Sequence, residues 1–521
     1  MRLNILLIGV SLVSLGAPAF AQTAPSGRQD VPSPGAKTAA PTTTLQDALS
    51  QAYATNPDLQ GQRANQRAND ENVPIARSQG LPGLNATGSG NDSLYNTASN
   101  PLTPSRQAQL GINLSQPIYN GGRIRNSVRA AEVRVNAGRA NLRGTEADIF
   151  TQTVTAYLNV IRDESIVRLN QENVHVLEVN LQATRDRFQV GDLTRTDVAQ
   201  SEARLALAQS QLRSAEAQLI GSRETYIRVV GTAPGVLAPP PPLPNLPEDV
   251  QSAEQVALAN NPFLEAAQLA RDATRYDTRV AKAGRLPQVS LGVGGNYSNY
   301  LGSIGSVGGA SGVTSNVPNA TTSATLGVQV TLPLFQAGRP AAQVRQAQAL
   351  EGAAIEQVTL TERGVIAQAR SAYASYQAAL RVIESSRTAV QANQLSLEGV
   401  RAENSVGTRT ILDILNAEQE LLNSQVQYVT AERDAYVAGF SLLAAMGRAQ
   451  AKDLNFDSRL LYDPNVNYAR VRNRINDWRD DKTPKPVATS TRATPPQGAE
   501  VIGAPLDPTL QRPVDSDRPN P

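Results

Sequence analysis

The sequence predicts an α+β protein made of two copies of one half, in which a pair of strands precedes two very long helices. Three observations lead to this prediction: an internal duplication, short stretches of alternating apolar residues, and long stretches without proline. The 521-residue chain has no cysteine and a formal charge of only +2. Disulfides, thiol chemistry and a nucleic-acid partner are therefore not expected.

The duplication relates residues 45–231 to residues 250–447. Asn56-Pro57 recurs 205 positions later as Asn261-Pro262, and further along the chain the offset becomes 216. The matches at the offset of 216 include Pro117 with Pro333, Gly122-Arg123 with Gly338-Arg339, Val190-Gly191 with Val406-Gly407, and Asp197 with Asp413. An insertion of 11 residues between Pro287 and Pro333 accounts for the change. Because solenoid units run roughly 20–50 residues, a repeat this long indicates a duplicated half-protein.

The segments outside the two repeats have their own signatures. Residues 1–21 predict a secretory signal peptide, since Arg2 precedes a short apolar run and Ala19-Phe20-Ala21 is a small-x-small cleavage site. An uncleaved anchor is the alternative, although the run is too short for a membrane helix. Residues 22–44 are expected to be a polar linker, and residues 232–249, with seven prolines, a Pro-rich linker. Residues 448–521 form a C-terminal extension that is Pro-rich and expected to be disordered from about 481.

Each half begins with a helix and continues with a strand pair. In the first half a helix over residues 50–80 should break at Asn56-Pro57 and bend at Pro74. Alternating apolar residues then predict strands. The clearest alternations are Leu110, Ile112, Leu114; Val289, Leu291, Val293; and Leu326, Val328, Val330, Leu332, while residues 84–95 supply the remaining strand. The sequence therefore predicts four strands per chain.

Two proline-free stretches predict the long helices. Residues 123–190 and 341–406 would each span on the order of 100 Å as helix. Val190-Gly191 and Val406-Gly407 should end them, because glycine suits the left-handed position after a helix. Helices over residues 194–230 and 408–446 are then expected to return antiparallel. Narrow apolar stripes with small side chains favour a hollow helical assembly, and an ordinary coiled coil is the alternative.

Aromatic residues near the strand ends favour a membrane barrel, although a soluble sheet fits this pattern comparably well. These residues are Tyr95, Tyr119, Tyr297, Tyr300 and Phe335. Four strands cannot close a barrel, and an open edge in lipid would leave backbone groups without hydrogen bonds. A barrel-forming chain must therefore oligomerise.

The pattern over residues 45–450 resembles the TolC-like family of outer-membrane efflux proteins. The resemblance rests on the duplication, the Asn-Pro helix starts, the borders of the strand pairs, and the segment from Val406 to Leu415. It implies an α+β membrane protein: a trimeric 12-stranded outer-membrane β-barrel, with four strands per protomer, continuous with a long α-helical barrel in the periplasm. It also implies an exit duct for efflux or type I secretion, opened at its periplasmic end. The implied partners are two further copies of the chain, a periplasmic adaptor, an inner-membrane transporter of RND or ABC type, and outer-membrane lipid.

The resemblance also assigns roles to residues beside the helical turns. Asp413 falls on the family's acidic ring at the pore constriction, and Asn416 replaces a second acid there. Arg409 matches an arginine that holds the tunnel closed, with Thr196 and Asp197 as its acceptors on a neighbouring hairpin. The turns expected to dock the adaptor are Val190, Gly191, Val406 and Gly407.

Ordinary structural roles remain open for the same residues. Thr194-x-x-Asp197 and Thr410-x-x-Asp413 both fit capping boxes, with aspartate in place of the usual glutamate. Arg409 alone would be a solvated charge, and the Val-Gly turns would be helix ends.

An enzyme, a cofactor and a metal centre are not expected. The chain lacks a Gly-x-Ser-x-Gly motif and a phosphate-binding loop, and it has a single histidine. The alternative function is a periplasmic adaptor or a coiled-coil scaffold without a channel. An adaptor would ordinarily have one helical hairpin, whereas this sequence predicts two, each preceded by strands.

Overall fold

The computed structural model describes residues 42–95, 104–244, 246–303, 307–308, 314–315, 318–454, 456–457, 459, 461–503 and 505–510. They belong to one compact unit, residues 41–521. The expected signal peptide, most of the polar linker and residues 511–521 lie outside the described residues.

The first half begins with a two-residue strand and three helices. Its elements are β1 (Thr42–Thr43), α1 (Leu45–Thr55), α2 (Pro57–Asp70), α3 (Asn72–Ser78), β2 (Gly83–Asp92), β3 (Arg106–Tyr119), α4 (Arg123–Gln189) and α5 (Arg195–Val230). The expected break at Asn56 is present, and the Asn56 side chain caps α2 by accepting from the backbone of Asp58 and Leu59. The helix is interrupted at Glu71, between α2 and α3. The ring of Pro74 clashes with the carbonyl four residues earlier, that of Asp70, and so disfavours a continuous helix there.

The second half repeats this order. Its elements are β4 (Val236–Leu237), α6 (Val250–Asn260), α7 (Pro262–Ala283), β5 (Gln288–Asn299), β6 (Val307–Gly308), β7 (Thr314–Ser315), β8 (Ala320–Thr331), α8 (Arg339–Ser405), α9 (Ile411–Ala445) and, after the repeat, α10 (Pro464–Val471). The four predicted strands and four long helices are therefore confirmed. The short β6–β7 pair lies within the region where the insertion was expected.

The four long strands form one antiparallel sheet in the order β2-β3-β5-β8. The β3–β5 pairing joins the two halves, with Leu114 opposite Val293, and Val293 is opposite Leu326 on β8. Apolar residues thus share one face across the sheet, while the other face carries Asn, Gln, Ser and Thr. In the described sheet, β2 and β8 each pair on one side only.

The long helices form two antiparallel hairpins, α4–α5 and α8–α9, which meet where α4 packs against α9. Helices α4 and α8 have 67 residues each, which corresponds to about 100 Å. The main apolar core lies where the hairpins join the short helices, around Phe150, Tyr157 and Phe440. The Tyr157 hydroxyl donates to the carbonyls of Thr43 and Ala238 there, and so connects the hairpin to the end of the polar linker and to the Pro-rich linker. Among the described helices, none combines the length and the apolar character that crossing a membrane requires.

The C-terminal extension differs from the expectation of disorder from about 481. Helix α10 lies beside α2, where Asn467 donates to Asp70. Residues 497–503 and 505–510 lie along the helical hairpins. Leu506 and Leu510 are buried there. Proline prevents this segment from forming helix or sheet, but its carbonyls and leucines still find partners on the helices. The expectation is therefore corrected for residues 497–503 and 505–510.

Candidate functional site

The two turns that end α4 and α8 share one backbone geometry. Gly191 and Gly407 have φ of 84° and 83°, in the left-handed region that favours glycine. In the first turn Asp192 N donates to Arg187 O at 2.9 Å and Gly191 N to Phe188 O at 3.0 Å. In the second turn Thr408 N donates to Glu403 O at 3.0 Å. This is the Schellman geometry, so the predicted glycine ends are confirmed.

Each turn presents one valine to solvent in the single chain. Val190 is 80% exposed and Val406 is 75% exposed. Val190 and Val406 are thus exposed apolar contact points at the ends of both hairpins. The structure thus places the expected docking residues Val190, Gly191, Val406 and Gly407 at the outermost turns of the hairpins.

Capping boxes start both returning helices. The hydroxyl of Thr194 and that of Thr410 each donate to the aspartate three residues later at 2.7 Å, and the backbone N–H of each threonine donates to the same carboxylate. These hydrogen bonds hold the pKa of Asp197 and Asp413 below the ordinary value. The capping role is therefore confirmed, and Asp413 is ionised at neutral pH.

Arg409 has a partner in its own turn. Its Nε donates to Glu403 Oε2 at 2.7 Å, and both side chains are about half exposed. Asn404 supports the turn by donating to the carbonyl of Arg409 at 2.8 Å. Within one chain the structure does not bring Arg409 to Thr196 or Asp197. The pairing of Arg409 with Glu403 is not among the contacts predicted from the sequence. An opposite charge six residues before Arg409, across a tight turn, is a signal that could have predicted it.

Asn416 lies one helical turn after Asp413 and contacts the other hairpin. Its Oδ1 accepts from Arg204 Nη2, on α5, at 2.6 Å. The Arg204 guanidinium therefore lies beside Asn416, the residue that by the resemblance replaces a second acid of the family. No sequence signal links the two residues, which are 212 positions apart.

Each hairpin has one ion pair that links its two helices near the turn, and the two ion pairs are related by the duplication. Arg185 pairs with Glu202 in the first hairpin, and Arg401 pairs with Glu418 in the second. Each pair spans 17 positions, and the two pairs are related by the repeat offset of 216. Both arginines are about half exposed, so the pairs mark equivalent positions in the two hairpins rather than strong links. Across the part of the chain described, no cluster of His, Asp or Glu is arranged to hold a metal ion.

Comparison with known proteins assigns this arrangement to a family. The family model described as "Outer membrane efflux protein" matches residues 48–232 and 254–448, which are the two repeats. The outer membrane efflux protein BepC of Brucella suis is 35% identical over 442 residues, covering 85% of this chain and 92% of BepC. The outer membrane protein TolC of Escherichia coli K12 is 27% identical, covering 87% and 94% respectively.

A solved structure supports the fold. The crystal structure of CusC superposes with a TM-score of 0.67 at 18% identity, and the match covers 83% of this chain and 99% of CusC. The resemblance stated from the sequence is therefore confirmed by the family model, by the curated relatives and by the fold. The chain belongs to the family of outer membrane efflux proteins.

Proposed function

We propose that three copies of this chain close a 12-stranded barrel in the outer membrane, and that their hairpins form a tunnel through the periplasm. The observation that carries the proposal is the sheet of four strands, which has an exposed apolar face and two edges without a partner in the single chain. Backbone groups on such edges need hydrogen-bond partners inside lipid. Joining β8 of one copy to β2 of the next supplies them at both edges.

The tunnel serves as the exit duct for efflux of small molecules, for type I protein secretion, or for both. The sheet's polar face, which carries Asn, Gln, Ser and Thr, would line a water-filled interior. The four long strands argue against the alternative of an adaptor or coiled-coil scaffold, because neither needs a sheet with an apolar outer face. The family match also favours a duct.

Closure at the periplasmic end is assigned to the residues around the turns. Asp413 and Asn416 are proposed to line the constriction, where three copies of Asp413 would concentrate cations. Arg409 is proposed to reach Thr196 and Asp197 of a neighbouring hairpin. Its bond to Glu403 is exposed to solvent and therefore weak, so exchanging that partner costs little.

Opening is proposed to require partners that bind this end. The exposed turns at Val190-Gly191 and Val406-Gly407 offer an apolar contact to a periplasmic adaptor, which would connect the duct to an inner-membrane transporter of RND or ABC type. A partner that binds the open arrangement more tightly than the closed one shifts the population toward it.

Membrane extraction and bilayer recording test the proposal together. The protein should remain in the outer-membrane fraction through a carbonate wash and form channels in planar bilayers after purification. Release by carbonate together with an absence of channels would instead support a scaffold.

A further inference from the structure

The C-terminal extension approaches the sheet just after helix α10. On α10, Asn467 donates to Asp70 at the end of α2. Two residues after α10 ends, the Asn473 side chain accepts from Arg77 on α3. Because Asp70 and Arg77 follow one another along α2 and α3, and β2 starts six residues after Arg77, the extension runs toward the sheet here.

The extension then turns back. Arg470 and Arg474 both pair with Asp481, at 2.7 Å and 3.1 Å, so the two ends of the intervening segment lie close together. Further along, Thr489 lies beside Gly231, at the level where α1 gives way to α2. The segment between α10 and Asp481 is therefore the part of the described extension that comes nearest to the sheet.

Two large apolar side chains of this segment are exposed. We call residues 472–481 the rim loop. In this loop Trp478 is 96% exposed and Ile475 is 75% exposed. Tryptophan is highly buried on average in soluble proteins, but it is enriched at membrane–water interfaces, because its ring is apolar and its N–H is polar. The rim loop thus presents side chains that suit a membrane surface better than water.

Aromatic residues indicate where the membrane surface lies. Tyr119 ends β3, and Phe335, its equivalent at the repeat offset of 216, follows β8 by four residues. Both side chains are exposed. Aromatic residues at strand ends flank the apolar band of a membrane barrel. The helix-side end of the sheet therefore marks the interface, which is the level that the rim loop approaches.

A basic pocket lies beside the rim loop at this level. It has a volume of about 490 Å³, and its lining includes the guanidinium groups of Arg77, Arg125, Arg129 and Arg472. Glu132 is the single carboxylate among the described residues that line it. Within the described part of the chain, Arg125, Arg129 and Arg472 form no salt bridge. The pocket thus carries positive charge that the chain itself does not neutralise.

The arginines lie at the depth of lipid headgroups. Arg125 and Arg129 are two and six residues into α4, within about 9 Å of its start along the helix. The headgroup layer on each side of a bilayer is roughly 5–8 Å thick, and an arginine side chain at this level reaches it. In the second half Arg345 is equivalent to Arg129, but the position of Arg125 is taken by Ala341. The pocket therefore belongs to the half that carries the rim loop.

We propose that the rim loop and the basic pocket bind an anionic phospholipid of the inner leaflet of the outer membrane. Arginine guanidinium groups bind phosphate oxygens through paired hydrogen bonds, and clustered basic side chains attract anionic lipid. Trp478 and Ile475 enter the interface beside the bound headgroup. The inference rests on the proposed function, since it requires the sheet to lie in the membrane.

Intrinsic fluorescence of the full-length protein tests the proposal, because Trp478 is the only tryptophan in the chain. The protein is reconstituted in vesicles of phosphatidylcholine, with or without phosphatidylglycerol, in which part of the phosphatidylcholine carries bromine near the headgroup. We expect bromine to quench Trp478 emission, and to do so several-fold more strongly with phosphatidylglycerol. Arg125→Gln with Arg129→Gln should abolish that difference. Arg339→Gln with Arg345→Gln, which removes the same charge at the start of α8, should leave it unchanged.

Several results would overturn the proposal. Equal quenching in the two kinds of vesicle would exclude recognition of an anionic headgroup, and equal loss in the two double variants would reduce the pocket to net charge. Blue-shifted emission without quenching would place Trp478 against another protein surface. A response to inorganic phosphate in detergent, without quenching in vesicles, would assign the pocket to a soluble anion.

Channel recordings on the same preparations separate this inference from the proposed function. Conducting channels with unquenched Trp478 would contradict lipid binding by the rim loop alone. A protein that neither inserts into the vesicles nor conducts would contradict the proposed function, and the lipid site with it.

Discussion

Arg204 on α5 donates from Nη2 to Oδ1 of Asn416 on α9 at 2.6 Å, and this bond joins the two hairpins one helical turn after Asp413. A positive charge therefore stands beside the proposed acidic ring. If Asp413 lines the pore as proposed, the Arg204 guanidinium lowers its attraction for cations. Asn416 accepts a hydrogen bond from this guanidinium.

Replacing Arg204 should increase cation preference. Arg204→Gln keeps a donor for Asn416 but removes the charge, so the three Asp413 carboxylates act with less opposition. Reversal potentials in asymmetric KCl should shift toward the cation value by several millivolts or more, on the order expected for a change in pore charge. Arg213→Gln is the matched control, because Arg213 lies on the same helix and is mostly exposed. Equal shifts in both variants would show that Arg204 acts only through net charge.

Neutralising Asp413 should have the reverse effect. Asp413→Asn removes the charge but leaves an oxygen that accepts from Thr410, so the helix cap is largely kept. Cation preference and block by multivalent cations should fall several-fold in bilayer recordings. Asp192→Asn removes an exposed carboxylate in the first turn and is the control. If it alters selectivity as strongly as Asp413→Asn, the pore assignment of Asp413 fails.

The closing contact of Arg409 can be separated from its bond inside the turn. Arg409→Ser combined with Asp197→Ala should raise single-channel conductance and sensitise cells to antibiotics that are normally too large to pass. Each contact is weak, but three symmetric copies can together shift a two-state opening several-fold. Glu403→Gln is the control, because it removes only the partner within the chain. If Glu403→Gln has an equal effect, the opening results from loss of the Arg409–Glu403 bond within the turn and not from loss of a contact with a neighbouring hairpin.

The buried ion pair between Arg223 on α5 and Glu164 on α4 should matter for stability. Arg223→Met leaves the Glu164 carboxylate buried without its cation, which costs about 3–5 kcal/mol. Adding Glu164→Gln should recover part of that loss, so the double variant should denature at a higher temperature than Arg223→Met. Circular dichroism during heating in detergent measures this. Arg213→Met, at an exposed pair, should cost less than about 1 kcal/mol; a loss as large as that of Arg223→Met would indicate that burial does not set the cost.

The sequence predicts the elements well because each has a strong local signal. Proline-free stretches set the long helices, Gly191 and Gly407 mark their ends, and Thr194 and Thr410 mark the starts of the returning helices. The family and its location, an outer-membrane protein with helices in the periplasm, follow from these features and are confirmed by the relatives.

Contacts between distant segments carry no such local signal. Arg204 and Asn416 are far apart in the chain, and nothing in the sequence around either residue indicates that they form a hydrogen bond. Residues 497–503 and 505–510 belong to a segment expected to be disordered because its composition is Pro-rich. Their placement depends on distant residues, since Arg223 donates to the carbonyl of Gly498 and pairs with Glu164.

The most direct test of the central claim is whether sheet edges of different copies meet in a closed ring of three. Single cysteines on β2 and β8 of the cysteine-free chain, oxidised in the native outer membrane, report this contact. A closed trimer should give disulfide-linked products that increase to a covalent trimer and stop there, since a closed ring leaves no free edge. Products that remain monomeric at all tested pairs of positions, or a ladder that continues beyond three copies, would contradict it.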